Sequence, residues 1–369
     1  MNDFLLIASV FLLVVCIFCL LLWYWVHEVN KKKHAQLERF VQNPILSPEP
    51  SHTWESEAVF NPGVVVHDGK VHMFYRAMGG DGISRIGYAW STDGIHFQRL
   101  DYPVYDPGPG FTLKKPSQRT LSYNTDLYAS GGGWGGSEDP RAVIIEGRTY
   151  VSFSAFAGWQ SIRLAITSIS LGELSNKEWN WRDLIYMSPQ NQTHKNWVMF
   201  PEKINGKFAI LHALTPKVSI EYIDFLEELR HKPIQSNNRR SGRPGAWDAF
   251  VRGAGAPPVK TDEGWLLFYH GMDPAHPAVG YRVGAMLLKL DDPSVVLYRT
   301  EEPILSPDMW YENDWKPGVV YASGAVVLGD ELIVYYGGGD KYIAAAKVNL
   351  KDFLHQLKTH KDITLNRVA

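Results

Sequence analysis

Val64-Val65-Val66-His67-Asp68-Gly69-Lys70-Val71-His72-Met73-Phe74-Tyr75 reads as an apolar run, a two-residue turn and a second run ending in aromatics. Asp-Gly between apolar segments is a strong hairpin signal, because the tight turns that match strand twist need positive φ. The unit recurs. Residues 142–145 lead through Glu146-Gly147 into 149–153, and 200–204 lead through Asn205-Gly206 into 208–211. Pro258-Val259 precede a turn at Glu263-Gly264 and a strand over 265–269, and 325–328 lead through Gly329-Asp330, in reversed order, into 332–336. Further strands follow the hairpins, as in Arg85-Ile86-Gly87-Tyr88-Ala89 and Tyr281-Arg282-Val283-Gly284-Ala285.

Five such units at a spacing of roughly 60 residues predict an all-β, five-bladed β-propeller. Pro44-Ile45-Leu46-Ser47-Pro48 returns as Pro303-Ile304-Leu305-Ser306-Pro307, as expected if both lead into equivalent blades of a closed ring. A sandwich with a small second domain is the alternative. Short helices are expected over 222–230 and 351–358.

The chain before these repeats has a different character. Residues 4–26 carry no charge and are almost wholly apolar, long enough as a helix to cross a hydrocarbon core of about 30 Å. Trp23, Tyr24 and Trp25 suit an interfacial belt, and Lys31-Lys32-Lys33 follow. The positive-inside bias then puts the rest of the chain in the cytoplasm. The expectation is a single-pass membrane protein with an anchor over 1–30, a polar linker over 31–42 and a catalytic domain over 43–369.

A net charge of −2 gives no electrostatic case for a nucleic-acid partner. Cys16 and Cys19, the two cysteines of the chain, both lie in the apolar run, so a disulfide framework or cysteine nucleophile is not expected beyond it. Histidines lack metal-ligand spacing, so no metal is expected. The glycines over 131–136 lack a following Gly-Lys-Ser/Thr and precede a strand, which excludes a phosphate-cradling loop. Aromatics make up 13% of the chain; most would build β core, and some could be platforms for sugar rings.

Charged residues held by Gly or Pro at strand starts are the candidates for chemistry. Gly135-Gly136-Ser137-Glu138-Asp139-Pro140-Arg141 is the richest such cluster. Adjacent carboxylates beside a guanidinium can tune one carboxyl as a general acid; an Asp-Pro turn capped by arginine would use the same residues.

Asn61-Pro62-Gly63, Phe74-Tyr75-Arg76-Ala77, Ser91-Thr92-Asp93-Gly94, Glu138-Asp139-Pro140-Arg141, Phe200-Pro201-Glu202-Lys203, Gly253-Ala254-Gly255-Ala256-Pro257-Pro258, Tyr269-His270-Gly271, Tyr311-Glu312 and Tyr335-Tyr336-Gly337-Gly338-Gly339-Asp340 together resemble glycoside hydrolase family 130. The resemblance covers about residues 43–348. It implies an inverting enzyme for β-mannosides, either oligosaccharide or glycoconjugate. Inorganic phosphate would be the co-substrate, mannose 1-phosphate the product (or the donor in synthesis), and no further cofactor is implied.

By that resemblance Asp139 is the catalytic acid, acting through a sugar hydroxyl. Glu312 and Asp340 hold the mannose, Arg76, Glu138 and Arg141 flank the pocket, and His212 and His270 line it. Ala213 stands where compared phosphorylases carry arginine, leaving Arg163, Lys203 and Arg252 as candidate phosphate ligands. Two other functions stay open. One is a water-using β-mannosidase, with Glu202 as base unless it merely pairs with Lys203; the other is a non-catalytic sugar-binding module.

Overall fold

The computed structural model describes residues 13–24, 37–107, 135–157, 162–276 and 280–359. Residues 13–24 are helical. At 1.5 Å per residue they span roughly 18 Å, short of a bilayer core. Among the described residues no helix is long and apolar enough to cross a membrane. The expected anchor, membrane contact and membrane location are corrected accordingly; residues 4–12 and 25–26 of the expected span lie outside the described residues.

Strands dominate the remainder. β1 (Glu38–Arg39) is followed by β2 (Ala58–His67), β3 (Lys70–Met78), β4 (Ile83–Ser91), β5 (Gln98–Arg99), β6 (Gly135–Ile145), β7 (Arg148–Phe156), β8 (Ile162–Ser170) and β9 (Ile185–Tyr186). β10 (Val198–Met199), β11 (Phe208–Ala213) and β12 (Ser219–Ile223) come next, then β13 (Phe250–Ala254), β14 (Val259–Thr261), β15 (Gly264–Met272), β16 (Arg282–Leu288) and β17 (Val296–Arg299). β18 (Val320–Leu328), β19 (Glu331–Gly338) and β20 (Tyr342–Asn349) finish the series. A 3₁₀ turn over Leu226–Arg230 and a helix over Leu350–Thr359 match the short helices expected there.

The fold is all-β, but its hydrogen bonds do not make five separate blades in a closed ring. The described strands form four open sheets of eight, three, five and four strands. The first two units fuse because β4 and β6 pair in parallel, Ile83 with Gly135 and Ser84 with Gly136. The third unit keeps three strands, its Asn205-Gly206 turn being closed by a single bridge, Ile204 to Lys207. The last sheet recruits the N-terminal chain, with β1 pairing β20 at Arg39 and Ala346. Strand β1 thus lies inside the segment read from sequence as linker.

The hairpin turns fall where the sequence put them, with one slip. Asp68-Gly69, Glu146-Gly147 and Asn205-Gly206 all take positive φ, the backbone that two-residue hairpins favour. Thr261 pairs Gly264, so the fourth turn is Asp262-Glu263, one residue early.

Three of the outer strands are tied down by the same three side chains. Tyr75 on β3 donates to Glu55 at 2.8 Å, and Arg99 on β5 lies 3.4 Å from that carboxylate. Tyr269 on β15 donates to Asp248 at 2.7 Å, and Arg299 on β17 bonds the same oxygen. Tyr336 on β19 donates to Glu312 at 2.7 Å, and Arg39 on β1 grips both its oxygens, at 2.7 and 2.9 Å.

The registers agree. Each tyrosine faces Gly87, Gly284 or Ala344 on the next strand, and each arginine faces the residue two further along it, Ala89, Met286 or Ala346. All three acids are fully buried. A buried carboxylate is tolerated only when paired and hydrogen-bonded, so each acid–tyrosine–arginine clasp couples an outer strand to its core. Around the clasps, Val, Leu, Ile, Phe and Tyr from facing sheets pack into contiguous clusters.

Candidate active site

Each unit carries a break in its ladder, and the fourth has a second one between Leu287 and Leu288. The register shifts lie between Phe60 and Gly63, Glu138 and Arg141, Leu211 and Ala213, Val251 and Gly253, and Ala322 and Gly324. A bulge turns one side chain out of the sheet's alternation. The bulged residues here are Asn61-Pro62, Asp139-Pro140, His212, Arg252 and Ser323. Proline suits such positions because it has no ladder N–H to lose. Asn61 (φ 49°) and Asp139 (φ 54°) both take left-handed backbone immediately before proline, a sparsely populated conformation that sites tend to hold under constraint.

Two of these bulges meet. A Cβ on Gly63 would lie 2.6 Å from Pro140 O and 2.9 Å from Ala142 N, so glycine lets β2 and β6 approach. Asn61 Nδ2 then donates to Asp139 Oδ1 at 2.7 Å. Arg76 reaches the same oxygen at 3.3 Å, gives its other terminal nitrogen to Glu138 at 2.9 Å, and is steadied by Ser84 at 2.9 Å. Lys195 holds the second Glu138 oxygen at 3.0 Å. Arg141 reaches Gly255 O at 2.6 Å, Asp139 O at 2.8 Å and the Tyr321 hydroxyl at 3.1 Å. It therefore fixes the backbone that presents Asp139.

These groups border a small cavity of about 40 Å³ lined by Asn61, Arg76, Asp139, Lys195, Asn196, Arg252, Tyr281, Lys316, Val319, Tyr321 and Asp340. Asp340, also at positive φ (53°), pairs with Lys316 at 3.0 Å. Asn61 Oδ1 is buried without a described hydrogen-bond partner, an acceptor suited to a ligand hydroxyl. Burial would push the Asp139 carboxyl up, but the charges of Arg76, Lys195 and Arg141 and the Asn61 bond hold it at about 2. It is therefore an anion near neutral pH.

Of the residues expected from sequence, Asp139, Arg76, Arg252 and Asp340 line this one cavity, with Glu138 and Arg141 in direct contact behind its wall. His270 lies flat on Tyr321, ring centres 3.9 Å apart, and is fully buried rather than lining. Burial, with Arg141 and Arg252 nearby, drives it down to about 3, so it is neutral. His212 bonds Ser236 at 3.0 Å beside Trp197, outside the lining, and burial lowers it to about 4.

Besides these two histidines, three more of the expected residues lie elsewhere or are already saturated. Arg163 donates to Ser188 O and stacks on Tyr186, bordering a different hollow. Lys203 pairs with Glu146 at the hairpin turn of β6 and β7. Glu312 has no acceptor left for a sugar: Arg39 and Tyr336 occupy Oε1, and Arg39 and the Met309 N–H occupy Oε2. A carboxylate offers about four lone-pair sites, and all four are used. Glu202 pairs with Lys260 at 2.6 Å, not with Lys203. Ala213 is buried in β11 opposite Ser219.

Sequence reasoning missed Lys195, Asn196, Lys316, Tyr281 and Tyr321. Lys316-Pro317-Gly318 carries the same signal that singled out Asp139, a charge beside Pro and Gly ahead of a strand. Lys195-Asn196 likewise opens an apolar strand. Tyr321 sits inside an apolar run, and nothing in the pattern distinguishes it from core.

The profile of the glycoside hydrolase 130 family, described as beta-1,4-mannooligosaccharide phosphorylase, matches residues 118–359. A 1,2-beta-oligomannan phosphorylase and a beta-1,2-mannobiose phosphorylase, both of Thermoanaerobacter sp. (strain X514), are each 35% identical. The first alignment spans 86% of this chain and 98% of that relative, the second 85% and 97%. A solved beta-1,2-mannobiose phosphorylase from Listeria innocua, in complex with beta-1,2-mannobiose, superposes with a TM-score of 0.65 at 27% identity, covering 87% of this chain and 99% of that one. With the family profile matching most of the chain and relatives 35% identical matched over nearly their whole length, the chain belongs to glycoside hydrolase family 130.

Proposed function

We propose that this protein cleaves β-mannosides by phosphorolysis at the Asp139 pocket, with β-1,2-linked mannobiose or longer β-1,2-oligomannosides as substrates. One observation carries the reading. A single cavity presents two carboxylates, Asp139 and Asp340, and four cations, Arg76, Lys195, Arg252 and Lys316. An excess of positive charge suits a phosphate dianion. Glu138, behind the wall, takes up part of that excess through Arg76 and Lys195. Lys195 and Lys316 supply the cations that Ala213 does not.

In the reaction a phosphate oxygen attacks the mannosyl C1 from the face opposite the leaving sugar. The C1–O bond breaks, and the departing oxygen takes a proton that originates on Asp139 through a sugar hydroxyl. Phosphate is itself the nucleophile, so no carboxylate base is needed, in contrast to water-using inverting enzymes. Asp340 and the Asn61 carbonyl supply acceptors for sugar hydroxyls. Phosphate seated among Lys195, Arg252 and Lys316 would offset the charges that keep Asp139 ionised. Its carboxyl then rises toward the range in which it can carry a proton.

Incubating the full chain with β-1,2- and β-1,4-mannobiose, each with and without phosphate, tests this. Mannose 1-phosphate from the β-1,2 substrate, with none formed when phosphate is withheld, is the expected result. Free mannose formed equally without phosphate supports the hydrolytic alternative. Binding without turnover supports a sugar-binding module.

A further inference from the structure

Lys316 pairs with Asp340 in the pocket but belongs to no strand. Its loop is stitched at both ends. Val319 N donates to Glu312 O at 3.3 Å, and Gly318 N to Asn313 Oδ1 at 2.9 Å. Lys316 N donates to Gly339 O and Gly339 N to Val319 O, both at 3.0 Å. Gly338 and Gly339 press against the turn before this loop, since a Cβ on either would lie 2.9 or 3.0 Å from Tyr311 O. The left-handed backbone of Asp340 is thus set against the turn that Glu312 ends. Glu312 itself is fixed by the fork of Arg39, which also bonds Ser306 O, and by Tyr336.

The clasp formed by Arg39, Tyr336 and Glu312 has a counterpart in Arg99, Tyr75 and Glu55, built in the same register on a different sheet. The two differ in what the acid carries. Glu55 leads into β2, whose pairing with β3 on both sides of the bulge holds the nearest pocket residue, Asn61. Glu312 leads into the loop that itself supplies Lys316 and abuts Asp340.

We propose that Arg39, contributed by the N-terminal strand, is a positioning residue for the pocket: through Glu312 it fixes the 313–319 loop and so the Lys316–Asp340 pair. This rests on the phosphorolysis reading and deepens it. Glu312 then serves the sugar site at one remove, by holding the loop rather than by touching a hydroxyl.

The test compares matched lesions in the full chain, Arg39→Ala against Arg99→Ala and Tyr336→Phe against Tyr75→Phe. Melting temperature is measured alongside kcat and KM for β-1,2-mannobiose at saturating phosphate. The tyrosine variants, each losing one hydroxyl bond to the acid, should lose similar thermal stability; Arg39→Ala, which removes two bonds to its acid where Arg99→Ala removes one 3.4 Å contact, should lose more. Only Arg39→Ala and Tyr336→Phe should lose kcat/KM, by about tenfold or more for Arg39→Ala, because misplacement by an ångström can cost up to a hundredfold. Arg39→Lys should recover part of that loss, keeping the charge without the fork. Should Arg39→Ala not fold, the tyrosine pair, which removes one hydroxyl each, decides the matter. Wild-type kinetics in Tyr336→Phe and in any folded Arg39→Ala, or an equal kinetic loss in the Arg99 and Tyr75 variants, would overturn the proposal. A wild-type chain that makes no mannose 1-phosphate overturns the underlying reading instead, a result distinct from either.

Discussion

Asn61 donates a 2.7 Å hydrogen bond to Asp139 across two sheet bulges whose residues lie 78 positions apart in the chain. Both sit in left-handed backbone before a proline, and both line the same cavity. The pair places the acid by design of the backbone, not by flexible side-chain reach.

Replacing Asp139 by Asn keeps the shape and removes the proton donor. The variant should fold and lose turnover by a factor of about 10²–10⁴, the usual contribution of a positioned acid. Circular dichroism with a mannose 1-phosphate assay checks this; unaltered turnover excludes the role.

Asn61→Ala removes a donor to Asp139 and the side chain best suited to positive φ. Stability should fall by about 1–3 kcal/mol, the range for a broken buried hydrogen bond. The Asp139 carboxyl should move upward, since the Asn61 bond lowers it. Denaturant titration reads the first effect and the alkaline limb of the pH–rate profile, where a general acid loses its proton, the second; an unshifted limb contradicts the assignment.

His194, His212 and His270 are held by burial at about 4, 4 and 3, below the ordinary histidine value near 6.5. Unfolded, each binds a proton from about pH 6.5 downward; folded, each resists. The unfolded state therefore binds more protons, and stability falls as pH drops from about 6.5 toward 3. Asp139 adds a later loss as pH falls from its ordinary value near 3.8 toward about 2. Melting temperatures across pH 7 to 4 should decline, and less steeply in His270→Gln. A flat profile refutes the burial argument.

The clasps are expected to be structural wherever they occur. Arg299→Ala leaves the Asp248 carboxylate buried with one cation fewer, a lesion of the class that costs about 3–5 kcal/mol. Chemical denaturation measures it; a loss below about 1 kcal/mol means that the clasp does not hold β17.

The hairpins were legible because positive-φ turns need particular residues. The gathering of Asp139 with Arg76, Arg252 and Asp340 was legible through motifs in order. What escaped was long-range pairing. The β4–β6 parallel contact and the docking of β1 on β20 depend on partners hundreds or tens of residues away, and a two-residue strand such as Glu38-Arg39 has no periodicity to read. Glu312 was misplaced for a related reason. Its local motif is that of a pocket residue, but the arginine that saturates it is 273 positions distant. The apolar N-terminal run met the length criterion for a span, and the described helix of residues 13–24 does not.

Phosphate dependence in the wild type and in Asp139→Asn tests the central claim most directly. With β-1,2-mannobiose, phosphorus NMR should show inorganic phosphate converted to mannose 1-phosphate in step with mannose release by the wild-type chain, and no conversion by the variant. Mannose released without phosphate consumption, or equal conversion by Asp139→Asn, would contradict phosphorolysis at this pocket.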